Sequence, residues 1–263
     1  MSFKVVIPAR HGSTRLPGKA LLDLGGQPMI RRVVEVALRS RAQEVWVATD
    51  DERIAAAARD SSNSSGPRAA RAIITRADHV SGTDRIAEVA QGQGWGDDVI
   101  IVNLQGDEPQ MPPELLNQVA DLLAADTSAD LATLCTPVAS IQELLEPNVV
   151  KVVMSSAGAA LYFSRAPIPW DRDAATSGEP ARQNSHAGAA RHLGIYAYRV
   201  GALLRLTRLP VSSLERIEKL EQLRALQAGM RIVVAAAIRP PGLGVDTAQE
   251  LGRVRAQFAR GSN

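Results

Sequence analysis

The chain has 263 residues, of which 45% are hydrophobic and 22% are charged, and its formal net charge is +2 at pH 7. A chain of this length can bury a substantial core as one α/β domain or as two small ones. The small net charge and an aromatic content of 3% argue against a nucleic-acid partner, which needs a basic surface or aromatic stacking platforms. No apolar stretch approaches the roughly 18 residues that span a bilayer, so we expect no membrane insertion.

The single cysteine, Cys135, has no second thiol with which to form an intrachain disulfide. It ends an apolar run, residues 131–135, which favours a buried structural thiol over a nucleophile. The first residues, Met1 to Lys4, lead straight into another apolar run without the pattern of a secretory leader. A lone thiol suits a reducing compartment, so we expect a cytoplasmic protein.

The first predicted strand covers residues 5–7, an apolar β-branched run that stops at Pro8. The loop behind it is crowded with cations, hydroxyls and glycines: Arg10, Gly12, Ser13, Thr14, Arg15, Gly18 and Lys19. In open α/β sheets ligands bind at the carboxyl ends of strands, and backbone amides beside Lys and Arg heads suit a polyphosphate. A basic surface loop explains any one of these cations, but the whole set favours a triphosphate site.

This loop is not a Walker P-loop, which requires the pattern G-x-x-x-x-G-K-[ST]. Gly12 and Gly18 have one residue too many between them, and Ala20 stands where the magnesium-binding hydroxyl belongs. A phosphate site at this loop must therefore have another geometry.

Strands and helices alternate through residue 124. Helices are predicted from residue 28, beyond residue 52, from residue 81 and over 114–124, and strands over 44–48, 72–75 and 99–104. Thr49 and Glu52 have the spacing of a capping box, which we favour over a metal site at Asp50 and Asp51. The alternation predicts an α/β fold with a mostly parallel, doubly wound, Rossmann-like sheet.

The pattern changes beyond residue 131. Strands are predicted over 149–154, 160–163 and 193–198 with no comparable helix between the first two, which indicates a mixed or antiparallel section. A helix over 214–226, a strand over 231–238 and a helix over 247–258 complete the chain. The first of these helices has an apolar stripe of Leu214, Ile217, Leu220, Leu223 and Leu226. The polar residues 60–67 are interpreted as a flexible insertion without a catalytic role, and residues 171–190 as a mobile loop. No linker separates two cores, so we expect one domain over residues 1–263.

Segments along the whole chain share a family resemblance: residues 8–10, 13–19, 81–85, 105–109, 162–165, 191–196, 218–223 and 244–247. Together they resemble the sugar-acid cytidylyltransferases, and among these the enzymes that activate 3-deoxy-D-manno-octulosonate (KDO). Local departures are His11, Ala20 and Asp84, where family members often have Tyr, Pro and Glu. These departures leave the charged side chains of the motifs in place.

The resemblance implies the fold of nucleotide-diphospho-sugar transferases and a magnesium-dependent nucleotidyltransferase. Its reaction would transfer CMP from CTP to KDO, giving CMP-KDO and pyrophosphate for lipopolysaccharide synthesis. The resemblance also implies a homodimer, in which residues 149–200 cover the active site and form much of the interface.

For the nucleotide, the resemblance implies CTP contacts from Ala9, Arg10, Ser13, Arg15, Lys19, Ser81, Arg85 and Gln105. It implies catalytic roles for Arg10, Lys19, Asp107 and Asp246, with Mg²⁺ held by the two aspartates. The residues argue in the same direction, because Asp107 follows a predicted strand and a carboxylate beside a triphosphate calls for a divalent cation. Simpler interpretations stay open: Asp107 as a turn residue, and Ser81 and Asp246 as helix N-caps.

For the sugar acid, the resemblance implies contacts from Arg165, His192, Tyr196, Glu221 and Gln222. Arg165 follows a predicted strand, where its guanidinium can hold a carboxylate through two hydrogen bonds. His192 and Tyr196 are four residues apart on a predicted strand, hence on one face. Without the resemblance they would be core residues, and the acids around Glu221 a solvated or partner-binding helix face.

Two competing functions follow from the same residues. A related enzyme could activate another acid sugar such as a neuraminate, in which case turnover of KDO and of neuraminate separates the two. A nucleotide-binding regulator that has lost catalysis is the alternative from another class, and metal-dependent turnover is its discriminator.

Overall fold

The structure is a computed structural model, and it describes residues 2–12, 16–60, 69–174 and 184–260. The strands of the described chain are β1 (Lys4–Ala9), β2 (Glu44–Thr49), β3 (Arg71–Ile74), β4 (Ile100–Asn103), β5 (Leu131–Pro137), β6 (Lys151–Met154), β7 (Ala160–Ser164), β8 (Ala190–Arg199) and β9 (Ile232–Ala236).

The helices are α1 (Met29–Leu38), α2 (Glu52–Asp60), α3 (Gly82–Gly92), α4 (Pro113–Ala125), α5 (Ile141–Leu145), α6 (Val200–Arg208), α7 (Ser213–Glu218), α8 (Gln222–Gln227) and α9 (Ala248–Arg260), with a short 3₁₀ helix at Lys19–Leu21. None of the helices in the described ranges is long and apolar enough to cross a membrane.

The sheet has the strand order β3-β2-β1-β4-β8-β5-β9. Its first four strands are parallel, as the alternation of strands and helices predicted. Strand β8 then runs antiparallel to both β4 and β5, and β9 runs parallel to β5. The predicted α/β fold, with a mostly parallel sheet and a mixed later section, is therefore confirmed.

Strand β1 is the point at which the chain reverses its direction of growth across the sheet. The next strands, β2 and β3, lie on one side of β1, and β4 lies on the other. Because the connections on the two sides leave in opposite directions, a crevice opens at the carboxyl ends of β1 and β4. This crevice positions the site described below.

Strands β6 and β7 form an antiparallel hairpin beside the start of β8. In this pairing Lys151 lies opposite Ser164 on one side and Arg191 on the other. The hairpin confirms the antiparallel section predicted from residues 149–163.

Apolar side chains cover both faces of the sheet. One layer joins the sheet to α1 and α4, and the other joins it to α3 and α6. Cys135 is buried in the second layer, and burial raises the pKa of its thiol. The prediction of a buried thiol is confirmed.

The capping box predicted at Thr49 and Glu52 is wrong. Thr49 is the fully buried last residue of β2, and Asp51 begins the helix instead. Its Oδ1 accepts a hydrogen bond from the amide of Arg53 at 2.8 Å, and its carbonyl accepts one from the amide of Ala55 at 3.1 Å. Strand β2 continues further than its apolar run suggested, which moves the cap two residues along the chain.

The single helix predicted over 214–226 is also wrong, because it breaks into α7 and α8. Lys219 ends α7 with φ at 54°, in the left-handed region. The carbonyl of Glu218 accepts from Arg165 Nε at 2.7 Å, so β7 uses a group that a continuous helix would need. The break also leaves Ile217 78% exposed, against the predicted apolar stripe.

Two predicted loops fall mainly outside the described residues. Residues 61–67 of the polar insertion and residues 175–183 of the loop over 171–190 are not described. In the flanking residues 165–174 and 184–189 the structure has no helix or strand.

Candidate active site

A cleft of about 260 Å³ opens at the carboxyl ends of β1 and β4. It is lined by Pro8, Ala9, Arg10, Lys19, Ala20, His79, Val80, Ser81, Gly82, Arg85, Gln105, Gly106, Asp107 and Asp246. The lining includes all the residues predicted for CTP and metal except Ser13 and Arg15, which lie outside the described residues. The structure therefore brings together one predicted half of the site.

Glycine lets these segments approach each other closely. A Cβ atom on Gly106 would lie 2.9 Å from the carbonyl oxygen of Pro8, nearer than real Cβ contacts allow. A Cβ on Gly82 would lie 3.1 Å from the ring of the same proline. The ends of β1 and β4 and the start of α3 can therefore converge around Pro8.

Lys19 joins the two aspartates predicted to hold the metal. Its Nζ lies 2.6 Å from Asp107 Oδ2 and 3.1 Å from Asp246 Oδ1. Desolvation alone would lower the pKa of Lys19, but the two carboxylates outweigh it and raise that pKa. A backbone bond from the amide of Val245 to the carbonyl of Asp107, 2.9 Å long, holds the two segments together. Asp107 lies 88 positions and Asp246 lies 227 positions from Lys19 in the chain, and both contact its ammonium.

Asp246 is not the N-cap of the last helix. Thr247 Oγ1 accepts from the amide of Glu250 at 3.2 Å, and Glu250 Oε2 accepts from the amide of Thr247 at 2.8 Å. This reciprocal pair caps α9. The carboxylate of Asp246 meets Lys19, and Thr247 supplies the cap.

The donor set fits a magnesium ion that shares its ligands with a substrate. In the ranges that the structure describes, no group of three or more His, Cys, Asp and Glu side chains could hold a metal. Magnesium is commonly held by one or two carboxylates together with substrate phosphates and water. Asp107 and Asp246, which already converge on the ammonium of Lys19, supply such a pair.

Glu108 is a further acidic residue here that the sequence interpretation missed. Burial, together with the charges of Asp107 and Asp246, raises the pKa of Glu108 to about 8. The only sequence signal was its place in the motif over residues 105–109. Its carboxyl group therefore loses its proton less readily than that of an ordinary glutamate.

The amino end of α3 points at the cleft. Ser81 is its N-cap, with Oγ accepting from the amide of Asp84 at 3.1 Å and Asp84 Oδ2 accepting from the amide of Ser81 at 3.0 Å. The cap interpretation of Ser81 is confirmed, and Asp84 closes the box in place of the family's Glu. A helix amino terminus favours anionic groups, so capping and ligand binding are compatible.

Arg85 is buried and tied to the sheet edge. Its guanidinium donates to Asp50 Oδ2 at 2.9 Å and to Thr75 Oγ1. Asp50 also accepts a hydrogen bond from the amide of His11 at 3.1 Å, which fixes the start of the loop that follows β1. Arg85 therefore lines the cleft while it anchors β2, β3 and α3 to one another.

The residues predicted for the sugar acid do not line this cleft. Glu221 is joined to the element that borders the cleft, since its carboxylate accepts a hydrogen bond from Thr83 in the first turn of α3. Burial raises the pKa of Glu221. Gln222, the first residue of α8, is buried beside it.

His192 and Tyr196 share one face of β8, as predicted, with ring centroids 5.3 Å apart. His192 Nε2 lies 3.0 Å from Thr133 Oγ1, and burial lowers its pKa to about 3. The hydroxyl of Tyr196 is buried and has no hydrogen-bond partner in the described chain. A buried hydroxyl without a protein partner is rare in native proteins, so this group is available to a water molecule or to a ligand.

Arg165 is held by contacts outside the cleft lining. Its Nε donates to the carbonyl of Glu218 at 2.7 Å, and its Nη1 donates to the carbonyl of Pro147 at 2.9 Å. Its backbone amide donates to the carboxylate of Glu218 at 2.9 Å. The guanidinium is therefore held by backbone groups at the end of β7.

Comparison with known proteins places the chain among relatives of known activity. Residues 4–232 match the model of a family described as cytidylyltransferase. The chain is 54% identical over 254 residues to the 3-deoxy-manno-octulosonate cytidylyltransferase of Thioalkalivibrio sulfidiphilus, covering 97% of this chain and 98% of that protein. It is 51% identical to the protein of the same name from Aeromonas salmonicida, covering 98% and 100%.

The chain belongs to the 3-deoxy-manno-octulosonate cytidylyltransferase family. A solved structure of a CMP:2-keto-3-deoxy-manno-octonic acid synthetase complexed with CTP matches it with a TM-score of 0.85, at 44% identity over 99% of each chain. A cytidylyltransferase from Leptospira borgpetersenii, 17% identical with a TM-score of 0.58 over 98% of this chain and 87% of that one, shares the fold. The family resemblance and the fold that it implied are confirmed.

Proposed function

We propose that this protein transfers CMP from CTP to KDO, giving CMP-KDO and pyrophosphate, a step that activates KDO for lipopolysaccharide synthesis. The observation that supports this most is the meeting of Asp107 and Asp246 on Lys19 in a cleft at the switch point of the sheet. The relatives' names and the CTP complex of the 44% identical structure support the choice of nucleotide and sugar acid.

In the proposed reaction the anomeric 2-hydroxyl of KDO attacks the α-phosphate of CTP in line, and pyrophosphate leaves. Such a transfer requires little covalent chemistry from the protein, so catalysis depends on positioning and on charge neutralisation. Arg10 and Lys19 lie on the cleft wall, where they would stabilise the negative charge of the phosphates and of the leaving pyrophosphate.

We propose Mg²⁺ as the cofactor, with Asp107 and Asp246 as its protein ligands. When bound, the ion supplies Lewis-acid polarisation of the phosphate and neutralises its charge. The ammonium of Lys19 lies 2.6 Å from the carboxylate of Asp107 and 3.1 Å from that of Asp246. That contact preorganises the acidic pair, because two like charges would otherwise repel each other.

The sugar acid is proposed to bind beside the nucleotide, towards α8 and β8. Glu221 and Gln222 would accept hydrogen bonds from its hydroxyls, and the unpartnered hydroxyl of Tyr196 offers a further polar contact. His192 would meet it as a neutral ring, and Arg165 would hold its carboxylate.

We further propose one cytoplasmic domain that works as a homodimer, with residues 149–200 contributing the interface. The exposed apolar side chains of the β6–β7 hairpin, Met154 and Leu161, support such an interface. The lone buried thiol supports a reducing compartment.

Release of pyrophosphate from CTP is the test of this proposal. We expect release with Mg²⁺ and KDO together, and little when KDO is omitted, when it is replaced by a neuraminate, or when EDTA is added. Preferential turnover with neuraminate would favour the other acid-sugar enzyme. Binding of CTP without any metal-dependent turnover would favour a nucleotide-binding regulator.

A further inference from the structure

Lys151, at the start of β6, is a fully buried lysine that the proposed mechanism leaves without a role. Lysine is almost never fully buried unless its charge is paired. Here its Nζ donates to three backbone carbonyls: that of Glu146 at 3.1 Å, that of Val149 at 2.7 Å and that of Arg165 at 2.6 Å. An ammonium has three donors, so these contacts use all of them.

These contacts form a closed ring with Arg165. Lys151 donates to the carbonyl of Arg165. It also donates to the carbonyls of Glu146 and Val149, which belong to the turn that contains Pro147. The carbonyl of Pro147 in turn accepts from Arg165 Nη1 at 2.9 Å. One buried ammonium therefore fixes both the backbone of Arg165 and the turn that holds its guanidinium.

The strand pairing gives no reason for a charge at this position. β6 pairs with β7 and β8 through backbone groups, which an apolar residue would leave unchanged. Burial lowers the pKa of Lys151, although the charges of Glu146 and Glu218 oppose that effect. Burying an ammonium is costly unless hydrogen bonds compensate it. The arrangement is explained if the geometry of Arg165 is what the ammonium maintains.

We propose that Lys151 is a positioning residue for the sugar acid, acting through Arg165. It sets where the guanidinium lies, and it does not touch either substrate. This inference rests on the proposed function, in which Arg165 holds the carboxylate of KDO.

The test is a double-mutant cycle on the KM values of KDO and CTP. Lys151→Met keeps the length of the side chain and removes its donors, and we expect it to raise the KM of KDO at least tenfold while changing that of CTP less than twofold. In an Arg165→Ala background the same change should add less than twofold. Lys4→Met is the matched control, because Lys4 pairs with Glu44 away from the cleft; it should leave both KM values unchanged.

Full multiplication of the two effects on KDO, or an equal loss for CTP and KDO, would overturn the positioning role. An unchanged KM of KDO in Arg165→Ala would instead show that Arg165 does not bind the sugar acid. This result would overturn the proposed roles of both Arg165 and Lys151. A wild-type protein that makes no CMP-KDO would refute the proposed function itself. If Lys151→Met does not fold, Lys151→Gln, which retains an amide donor, replaces it in the cycle with the same expected pattern.

Discussion

In the proposed mechanism Lys19 has two sets of anionic partners, the two aspartates and the phosphates of CTP. In the structure its ammonium contacts Asp107 and Asp246, and both carboxylates are partly shielded from solvent. A bound triphosphate would offer the same ammonium a denser negative charge. Transfer of Lys19 to the phosphates would release the carboxylates for Mg²⁺, so one side chain couples nucleotide binding to the metal ligands.

Asp107→Asn keeps the shape of the side chain and removes its charge. We expect a loss of most turnover, because the proposed metal site keeps only one carboxylate, while the melting temperature stays near that of the wild type. Steady-state assays across a range of Mg²⁺ concentrations check this. An active variant with ordinary magnesium dependence would rule Asp107 out as a ligand.

Lys19→Ala and Arg165→Ala should weaken different substrates. Lys19 lines the nucleotide cleft, whereas Arg165 is held at the end of β7. We expect Arg165→Ala to cost about 1.5–3 kcal/mol in KDO binding, the range for hydrogen bonds to charged groups, and to leave CTP binding unchanged. Calorimetric titration of both variants with each substrate measures this division. Equal weakening of CTP by the two changes would place Arg165 in the nucleotide site.

The sequence predicts the nucleotide half of the site better than the sugar half, for a physical reason. Lys19 and Asp107 each follow a strand, and the carboxyl ends of parallel strands meet at one sheet edge. Arg165 and Lys151 are held by backbone carbonyls, and because every residue carries a carbonyl, the sequence does not indicate which ones they meet. Glu108 was missed because its raised pKa arises from burial among residues remote in the chain.

Helices α3 and α7 each begin with a capping box built on a serine, and of these two only α3 faces the cleft. Ser81 with Asp84 caps α3, and Ser212 with Glu215 caps α7. We expect Ser81→Ala and Ser212→Ala each to lower the free energy of unfolding by about 0.5–2 kcal/mol, the usual loss for a cap. Only Ser81→Ala should also weaken CTP binding. Urea unfolding and CTP titration of both variants check this, and an equal effect of the two on CTP would contradict a ligand role for Ser81.

The elements that were mispredicted are those whose ends are decided by distant contacts. The apolar stripe over 214–226 describes one helix locally, yet Glu218 turns to Ser164 and Arg165 and the helix ends there. Elements whose boundaries are set by their own residues agree with the prediction from sequence. Helix α4, which begins at Pro113, is one of them.

The stability of the whole molecule should depend on pH through His192. Its pKa is about 3 in the fold, because burial disfavours the charged ring, against an ordinary value of 6.5. As the pH falls below 6.5, the unfolded chain takes up a proton that the folded chain does not, so stability falls with pH. Between pH 7 and pH 5 this one group removes about 2 kcal/mol.

Urea unfolding of wild type and of His192→Gln at pH 7 and pH 5 measures this effect. The variant should lose less stability than the wild type over the interval, because it has no ring to protonate. The same pH dependence in both proteins would show that His192 titrates normally in the fold.

The whole sheet was only partly predictable. Alternating strands and helices indicate the parallel half, since each unit is local in the sequence. The place of β8 between β4 and β5, where it runs antiparallel to both, depends on pairings that join distant residues. That strand carries His192 and Tyr196. The sequence predicted that these two side chains share one face of a strand, but it did not predict where that strand lies in the sheet.

In the proposed function CMP passes from CTP to KDO at the cleft between β1 and β4. Phosphorus NMR of the purified protein with CTP, KDO and Mg²⁺ tests it directly, because it follows each phosphate separately. We predict equal amounts of pyrophosphate and of one new phosphodiester, CMP-KDO, and neither product when KDO is omitted. Transfer of CMP to KDO would be refuted if CTP stays intact with both substrates present, or if it is hydrolysed to CMP without forming the phosphodiester.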